Sequence, residues 1–399
     1  MRVLSWNAHV ATLAVMRLAD VLALLDTWYD PRWAEPWDAV GLVCGDPDAE
    51  VRRIHLAVDP VSAVVDEAVD AAADLLVVHH PLLLTPVSSV AADTAKGRVL
   101  HRLIGAGTAL FTAHTNADVP VDGVNDALAR AVGIEDPQVL APTDEPGLDK
   151  VVVFAPAESA EAIRQAVTAA GAGAIGVYDG CTFSTPGEGR FRPLAGADPA
   201  IGQVGEPEVV EEVRIESVYP RALRTRIVAA LRDAHPYEEP AFDLVELADV
   251  PGAPVTGPAP TSTRGHGRVG HLAEPTTLRG LAERVSLALP ATAHGVRVAG
   301  DPDREIRTVA VGAGSGESLL ELVRRSGADA YLTSDLKHHQ AGEFLEQDGP
   351  ALLDVAHWAA EWTWLPVLQR KVEEAARAAG DTVVTHVSTL VTDPWSFRA

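Results

Sequence analysis

A regular alternation of short apolar strands with helices constrains the fold of this chain more than any other feature. The clearest of these strands, residues 74–80 (DLLVVHH), is a continuous apolar run of the kind found in parallel strands buried on both faces. The predicted order is β-α-β-α-β-α, with strands at 54–59, 74–80 and 108–115 and helices at 61–73, 94–105 and 123–132. This order predicts a parallel sheet with right-handed crossovers.

The C-terminal part of the chain repeats this arrangement. It contains predicted strands at 306–314, 328–335, 351–357 and 381–391, and helices at 317–327, at 337–346 and from 357 to about 379. The middle differs, because its predicted order is β-α-β-β-α-β, the ferredoxin-like order. We therefore predict an α/β fold in which two α/β halves form one domain that carries an inserted ferredoxin-like α+β domain. The predicted boundaries are an N-terminal extension at 1–15, a first half at 16–147, the insert at 148–263 and a second half at 264–399.

Composition narrows the classes of partner. Lys and Arg number 32 and Asp and Glu number 56, so the formal net charge is −24, which disfavours a nucleic-acid or polybasic membrane partner. Cys44 and Cys181 are the only cysteines, too few for a disulfide framework or a Cys-based zinc finger. The N-terminal apolar run is interrupted at Asn7 and His9, so we predict no signal peptide and a cytoplasmic protein. Met16 is an alternative start.

The most informative residues are two adjacent histidines at the carboxyl end of the second strand. His79 and His80 precede Pro81, which favours an extended conformation at His80. Neighbouring side chains of a strand diverge, so the two imidazoles point to different places, which suits two metal ions better than one. Ligands of open α/β sheets also bind outside the carboxyl ends of strands.

Two further sets of metal-ligating residue types follow other strands. His114 and Asp118 lie after the third strand, and His357 and Glu361 follow a strand of the second half, at the i, i+4 spacing that places both on one helix face. A ligand set of three of these histidines with the two carboxylates would suit Zn, Fe, Mn, Co or Ni and does not choose among them. Each set alone is also compatible with a buried core histidine or a solvated helix face; their common position at strand ends favours a metal site.

Other candidates leave two interpretations open. GAGSGES (312–318) fits a phosphate loop or a plain tight turn, and it lacks the ending of a P-loop. TSDLKHHQ (333–340) contains Asp335, His338 and His339. These side chains either face the site or belong to a surface helix. Five histidines that stand alone in the sequence are interpreted as structural or exposed: His9, His55, His101, His294 and His386.

The motifs taken together resemble one protein family. WDAVGLVCGDP, VVHHPLL, HTNAD, GHGRVG, GAGSG with ADAYLTSDLKHH, and DVAHWAAEW occur in the order of the NIF-three-like, dinuclear-metal-centre hexameric proteins, known as GTP cyclohydrolase 1 type 2 homologues. The resemblance covers roughly 17–145 and 264–399. The middle, with GVYDGCTFSTPGEGRFRP and AHPYEEPAFDL, resembles the PII-like insert of the long bacterial members.

The resemblance implies a set of metal ligands and an assembly. It implies that His80 and Asp118 bind one divalent ion, that His79 and His357 bind the other, and that Glu361 bridges both. It also implies a toroidal homohexamer. The sequence departs from the family pattern at Ala356 and Ser334, where glycine is usual.

Two functions are compatible with these features. The first is a hydrolase in which a metal-bridging hydroxide attacks a nucleotide-like or phosphoester substrate and His114 orients groups or shuttles a proton. The cationic side chains nominated to lie near such a substrate are Lys337 and Arg268. The alternative is a non-catalytic, metal-binding regulatory or scaffold protein with an effector-binding insert. In both, the small-molecule ligand is unidentified.

Overall fold

A computed structural model of the 399-residue chain describes residues 15–143, 147–175, 177–247 and 264–399. The chain divides into two compact units, one of Met1–Thr143 with Thr263–Ala399 and the other of Asp144–Ser262. Nearly all of the predicted N-terminal extension, with His9, lies outside the described residues, as does most of the Pro/Thr/Ser-rich segment 251–265, whose composition predicts a linker. Within the described residues, no helix combines the length and the apolarity needed to cross a membrane.

The N-terminal segment of the larger unit alternates strands and helices. Its strands are β1 (Met16–Arg17), β2 (Gly41–Cys44), β3 (Glu50–Val51), β4 (Arg53–Ala57), β5 (Leu75–Val78), β6 (Ala109–Thr112) and β7 (Ile134–Pro142). Its helices are α1 (Leu18–Trp28), α2 (Ser62–Asp70), α3 (Ala95–Ala106), α4 (Thr115–Asp118) and α5 (Val124–Ala131). Helix α3 shows how local sequence sets the bounds. The Thr94 hydroxyl accepts a hydrogen bond from the backbone N–H of Gly97, and Gly107 ends the helix at a φ of 74°.

The smaller unit is an antiparallel sheet with two helices. Its elements are β8 (Leu148–Pro156), α6 (Ala160–Ala169), β9 (Phe183–Phe191), β10 (Glu208–Pro220), α7 (Arg224–Ala234) and β11 (Phe242–Glu246). The strand order in the sheet is β11-β8-β10-β9. Val153 of β8, Ile163 and Val167 of α6 and Ile227 of α7 are fully buried in one apolar cluster, so both helices pack on the sheet through their apolar faces.

The C-terminal segment returns to the larger unit. Its strands are β12 (Gly265–Thr277), β13 (Val296–Ala299), β14 (Glu305–Ser315), β15 (Ala330–Ser334), β16 (Ala351–Val355) and β17 (Val384–Val387). Its helices are α8 (Leu278–Ala288), α9 (Leu320–Ser326), α10 (His338–Glu346), α11 (His357–Trp362) and α12 (Leu365–Ala379). The long helix predicted from 357 to 379 is thus two helices, because Pro366 in the first turn of α12 has no N–H to donate.

Two mixed sheets organise the larger unit, so the predicted α/β class is confirmed. The five-stranded sheet has the order β17-β4-β5-β6-β2, and the six-stranded sheet has the order β13-β16-β15-β14-β12-β7. Parallel pairing joins β4 to β5 and β5 to β6, and likewise β14 to β15 and β15 to β16. The final strand, which the sequence placed after the second strand-helix series, pairs in parallel with β4 of the other sheet.

The principal core contains residues of both sheets. Leu75 and Val77 of β5 and Leu332 of β15 are fully buried in a single apolar cluster, which also includes Trp364. The indole N–H of Trp364 donates to the Tyr29 hydroxyl at 3.1 Å, which satisfies two buried polar groups at once. The outer faces of the two sheets are covered by helices: α2 and α3 over the five-stranded sheet, α9 and α10 over the six-stranded one. The parallel strands are therefore buried on both faces, as their continuous apolar runs indicate.

Candidate metal centre

The carboxyl ends of the parallel strands bring the predicted ligand residues together. His79 and His80 directly follow β5, and His114 follows β6. His357 and Glu361 lie on α11, which starts two residues after β16 ends. Because parallel strands share one carboxyl edge, each sheet delivers its polar residues at one place. The carboxyl edges of the parallel strands of the five-stranded and six-stranded sheets meet inside the larger unit.

Glu361 lies at the middle of this cluster. The residue is 3% exposed, and Oε1 of its carboxylate lies 2.8 Å from the Nε2 atom of His357. Its Oε2 lies 3.0 Å from Nε2 of His80, and Oε1 lies 3.5 Å from Nε2 of His79. His80, His357 and Glu361 each offer one ligand atom, and these three atoms lie within 4.8 Å of one another. A buried carboxylate ringed by imidazoles is the arrangement expected of a bridging metal ligand.

All four histidines of the cluster are oriented in the same way. In each ring Nδ1 is hydrogen-bonded to an oxygen: His79 to the Ala113 carbonyl at 2.8 Å, His80 to Asp59 at 2.7 Å, His114 to Asp38 at 2.8 Å and His357 to Asp335 at 2.6 Å. A carbonyl oxygen only accepts, so Nδ1 of His79 carries the proton and its Nε2 offers a lone pair. This carboxylate or carbonyl support of one ring nitrogen, with the other left for coordination, is typical of metal-ligating histidines.

Buried polar atoms without partners show that the donor set fits a metal. Nε2 of His79, Oδ1 of Asp118 and Oε2 of Glu361 are buried and have no hydrogen-bond partner. His80 is close to Oε2 of Glu361 but is not aligned for a hydrogen bond. An unsatisfied buried polar atom costs about 1–3 kcal/mol, and three at one place is an unusual concentration. Coordination of a divalent ion would satisfy all three.

The distances favour a different distribution of ligands from the one that the resemblance implies. Oδ1 of Asp118 lies 3.6 Å from Nε2 of His79, and His79 also approaches Glu361. His80, by contrast, groups with His357 and Glu361. The geometry therefore pairs His79 with Asp118 and His80 with His357, the reverse of the pairing implied by the family resemblance. His79 approaches Oε1 of Glu361 and His80 approaches Oε2, so the two rings serve different positions.

The electrostatics of the metal-free cluster follow from burial and from Glu361. Burial raises the pKa of Glu361, but the charges of His80, His357 and His79 hold it well below its ordinary value. Burial lowers the pKa of His80, yet Glu361 and Asp59 together raise it to about 10. Glu361 and Asp335 raise the pKa of His357 to about 11 in the same way. Burial, with Glu361, raises the pKa of Asp118 to about 6.

His114 belongs to the same cluster. One ring nitrogen of His114 lies within 4.8 Å of those of His79 and His80, and the ring is 5.1 Å from that of His79, centroid to centroid. Burial raises the pKa of Asp38, but hydrogen bonds from His114 and Thr115 hold it far below its ordinary value. Asp38 is therefore ionised, and Nδ1 of His114 donates to it. The other ring nitrogen of His114 remains free to accept a proton.

Arg268 does not serve a substrate, contrary to its nomination from the sequence. The residue is 1% exposed, and its guanidinium donates to one carboxylate and four carbonyls: Asp126, Gly265, Gly267, Val119 and Pro120. All five N–H groups of the fork are used in this way. Arg268 instead fixes the backbone that follows Asp118. Lys337 is exposed and forms an ion pair with Glu317 at 3.0 Å.

The structure bears on the two segments for which the sequence left two interpretations open, TSDLKHHQ and GAGSG. Asp335 supports His357, whereas His338 and His339 are exposed on α10. The GAGSG segment ends β14, and its Gly314 has a φ of 72°. A Cβ at Gly314 would lie 2.7 Å from Oε1 of Glu361, so glycine leaves room at the centre. This close approach accounts for the glycine without a bound phosphate.

The two departures from the family pattern fit the local backbone. Ala356 precedes α11 with φ −62° and ψ 131°, an extended conformation open to any residue. Ser334 is the last residue of β15 and is fully buried, with its hydroxyl lacking a partner. Neither position requires the freedom of glycine.

Sequence reasoning missed two acidic supports of the centre. Asp59 accepts from His80 and from the Thr392 hydroxyl, and Asp38 accepts from His114. Asp59 ends the predicted strand IHLAVD, so the strand-end rule that selected the histidines would also have selected it. Asp38 lies before β2, away from any predicted strand end, and only the three-dimensional structure identifies it.

Comparisons with known proteins place these features in context. A family model described as Duf34/NIF3 (NGG1p interacting factor 3) matches residues 16–394. A Mycobacterium tuberculosis protein named GTP cyclohydrolase 1 type 2 homolog is 49% identical over 384 residues, which cover 96% of this chain and 97% of that protein. A solved Bacillus cereus protein related to NIF3 is 36% identical with a TM-score of 0.66, covering 96% of this chain and all of that one. A Staphylococcus aureus structure is 27% identical with a TM-score of 0.69, covering 96% and 99%.

Proposed function

Because this chain belongs to the Duf34/NIF3 family, we propose that it is a metal-dependent hydrolase acting on a nucleotide-like or phosphoester substrate. The observation that carries the proposal is the convergence of three imidazole Nε2 atoms and of Asp118 around the buried carboxylate of Glu361. Its relatives carry the name GTP cyclohydrolase 1 type 2 homolog, which indicates the substrate class to test first.

We propose two divalent ions per chain, of Zn, Fe, Mn, Co or Ni. His79 and Asp118 would hold one, His80 and His357 the other, and Glu361 both. The unsatisfied Nε2 of His79 and carboxylate oxygens of Asp118 and Glu361 support this assignment. Such ions supply Lewis acidity, which lowers the pKa of water and polarises a substrate oxygen or nitrogen.

The residues of the chain itself supply orientation and proton handling. Asp59 and Asp335 fix the rings of His80 and His357, so each Nε2 is held in place before any ligand arrives. Asp38 holds His114 with Nδ1 protonated, which leaves the other ring nitrogen as a base beside the cluster. The Trp37 ring packs edge-on to His114 at 5.9 Å and limits the positions that the imidazole can take. We propose that His114 accepts the proton released during hydrolysis.

The proposal is tested by turnover with a defined metal. The metal-loaded protein is incubated with GTP, other nucleotides and simple phosphoesters, and products are separated chromatographically. We expect hydrolysis of at least one compound, with loss of turnover in Glu361→Ala and a decrease of roughly 10²–10⁴-fold in His114→Gln. A fully metal-loaded protein that is inert to the whole panel would contradict the hydrolase and favour a metal-binding regulatory protein.

Metal binding should release protons at neutral pH. His80 and His357 have pKa values of about 10 and about 11 in the metal-free chain, so both carry a proton at pH 7 that a coordinated Nε2 must lose. We expect about two protons released per chain from these rings. Calorimetric titration with Zn²⁺ in buffers of different protonation enthalpy measures the number. The His80→Gln variant should release one proton fewer; a heat of binding independent of the buffer would contradict the assignment.

The finer organisation of the fold is part of the same proposal. We propose that the smaller unit is a PII-like insert, which its β-α-β-β-α-β order and its β11-β8-β10-β9 sheet support. The two parallel trios β4-β5-β6 and β14-β15-β16 support a domain built from two similar halves. The toroidal homohexamer implied by the family resemblance remains a proposal of the same kind.

A further inference from the structure

A second group of metal-ligating side chains lies on the outer face of the five-stranded sheet. His55 of β4 and His386 of β17 are directly opposite in the parallel register, and Glu67 of α2 packs over them. The two imidazole rings are 4.9 Å apart, centroid to centroid, and 36° from coplanar. Each of the three residues offers one ligand atom, and these three atoms lie within 4.8 Å of one another. None of these residues takes part in the centre around Glu361.

The carboxylate of Glu67 offers one oxygen to each imidazole. Its Oε2 lies 3.0 Å from Nε2 of His55, and its Oε1 lies 3.7 Å from Nε2 of His386. The Ser388 hydroxyl donates to Oε2 at 2.6 Å and so fixes the carboxylate. The 3.7 Å separation is too long for a hydrogen bond. Oε1 and the His386 ring therefore face one another across a gap.

A plain histidine–glutamate hydrogen bond explains only part of this group. It would account for Glu67 and for one nitrogen of His55, but not for a second imidazole placed opposite in register. It also leaves Nδ1 of His55, in a residue 1% exposed, without a hydrogen-bond partner. A buried imidazole with one unsatisfied nitrogen is destabilising in itself. The hydrogen bond therefore leaves both the position of the His386 ring and Nδ1 of His55 unexplained.

The charge state of the group suits a cation. Burial lowers the pKa of His55, so its imidazole is neutral near pH 7. Burial raises the pKa of Glu67, but the hydrogen bonds from Ser388 and His55 bring it below its ordinary value, so the carboxylate is ionised. A neutral imidazole and an ionised carboxylate are the forms in which these side chains bind metals. The His386 side chain is 57% exposed, which gives an ion a path from solvent.

We propose that His55, Glu67 and His386 form a mononuclear site for a first-row transition ion of the zinc, copper or nickel class, separate from the centre around Glu361. Two imidazoles and one carboxylate are a donor set that zinc uses with an open position for water. Hard cations such as Mg²⁺ and Ca²⁺ prefer all-oxygen sites and are disfavoured here.

An ion at this position would tie the C-terminal strand to the body of the unit. β17 is an edge strand that pairs with β4 over four residue pairs only. His386 lies on β17, whereas Glu67 lies on α2, so coordination would link the edge strand to a helix across the sheet face. Because the ion binds the folded chain, it would raise the stability of the strand's attachment in proportion to its concentration.

The test is a count of bound zinc in three versions of the full chain. The wild type, His386→Ala and His339→Ala are titrated with Zn²⁺ against a chromophoric chelator until binding is complete. His386 is exposed at an edge strand, so its loss leaves the fold intact, and His339 is the matched control because it is exposed beside another histidine. We expect His386→Ala to bind one zinc ion fewer per chain than the wild type, and His339→Ala to bind as many as the wild type.

A second variant distinguishes coordination from a general surface effect. Glu67→Gln keeps the size and the hydrogen-bond capacity of the side chain but removes its charge, and it should lose the same ion as His386→Ala. The zinc-dependent rise in Tm should decrease in both variants. Equal zinc binding by the wild type and His386→Ala would overturn the proposal, as would a loss confined to His339→Ala.

Discussion

Replacing Glu361 with alanine should abolish metal binding at the centre rather than weaken it. Glu361 is the only residue of the cluster whose carboxylate approaches His79, His80 and His357 within the described structure. Its loss removes a ligand from both proposed positions, although Asp59 and Asp335 would still accept from Nδ1 of His80 and His357. We expect the two ions per chain proposed for this centre to be lost, since loss of a mere outer hydrogen-bond partner already costs about 10–100-fold in affinity, whereas an ion held by His55, Glu67 and His386 would remain. Elemental analysis after dialysis measures this directly.

Two companion variants make the result specific. Glu361→Gln keeps the shape of the side chain and should lose the ions as alanine does, which separates loss of ligation from loss of packing. Glu343→Gln removes an exposed glutamate of α10 and should retain the wild-type metal content. If Glu361→Ala kept both ions, the bridging assignment would be wrong.

Replacing Arg268 with methionine should be the most destabilising single substitution away from the core. Arg268 is buried with Asp126, and the variant leaves that carboxylate uncompensated together with carbonyls of Gly265, Gly267, Val119 and Pro120. Removal of one partner of a buried ion pair costs about 3–5 kcal/mol. We expect a decrease of that size in the free energy of unfolding, measured by urea denaturation of the metal-free protein.

The surface provides the control for Arg268. Arg324 forms an i, i+3 ion pair with Glu321 at 2.7 Å, with both side chains substantially exposed, so Arg324→Met should cost less than about 1 kcal/mol. Arg268→Lys keeps the charge but cannot reproduce the planar fork, and it should lie between the two. Equal stability of Arg268→Met and Arg324→Met would show that the buried network contributes little.

The positions of the ligands could be predicted because they follow a local rule. His79 and His80 directly follow a strand that the apolar pattern identifies, and His357 with Glu361 have helical spacing after another such strand. A strand's end can be found from its own sequence, and parallel strands share the edge at which they end. The class of the fold follows from the same alternation of strands and helices.

Long-range pairings could not be predicted in this way. Nothing in VTHV, the sequence of β17, indicates that this strand pairs with β4, so His55 and His386 were each interpreted as isolated residues. The nomination of Arg268 failed for a related reason. Three of its five partners, Val119, Pro120 and Asp126, come from a distant segment, and a charged side chain that is fully buried has no signature in local sequence.

The pairing of β17 with β4 has a consequence for biosynthesis. β4 (Arg53–Ala57) emerges from the ribosome long before β17 (Val384–Val387), so one edge of the five-stranded sheet stays open while the intervening chain is made. Contacts of such long sequence separation slow folding and expose unpaired strand edges to aggregation. Stalled or prematurely terminated chains that lack β17 are therefore expected to be preferred clients of chaperones and proteases.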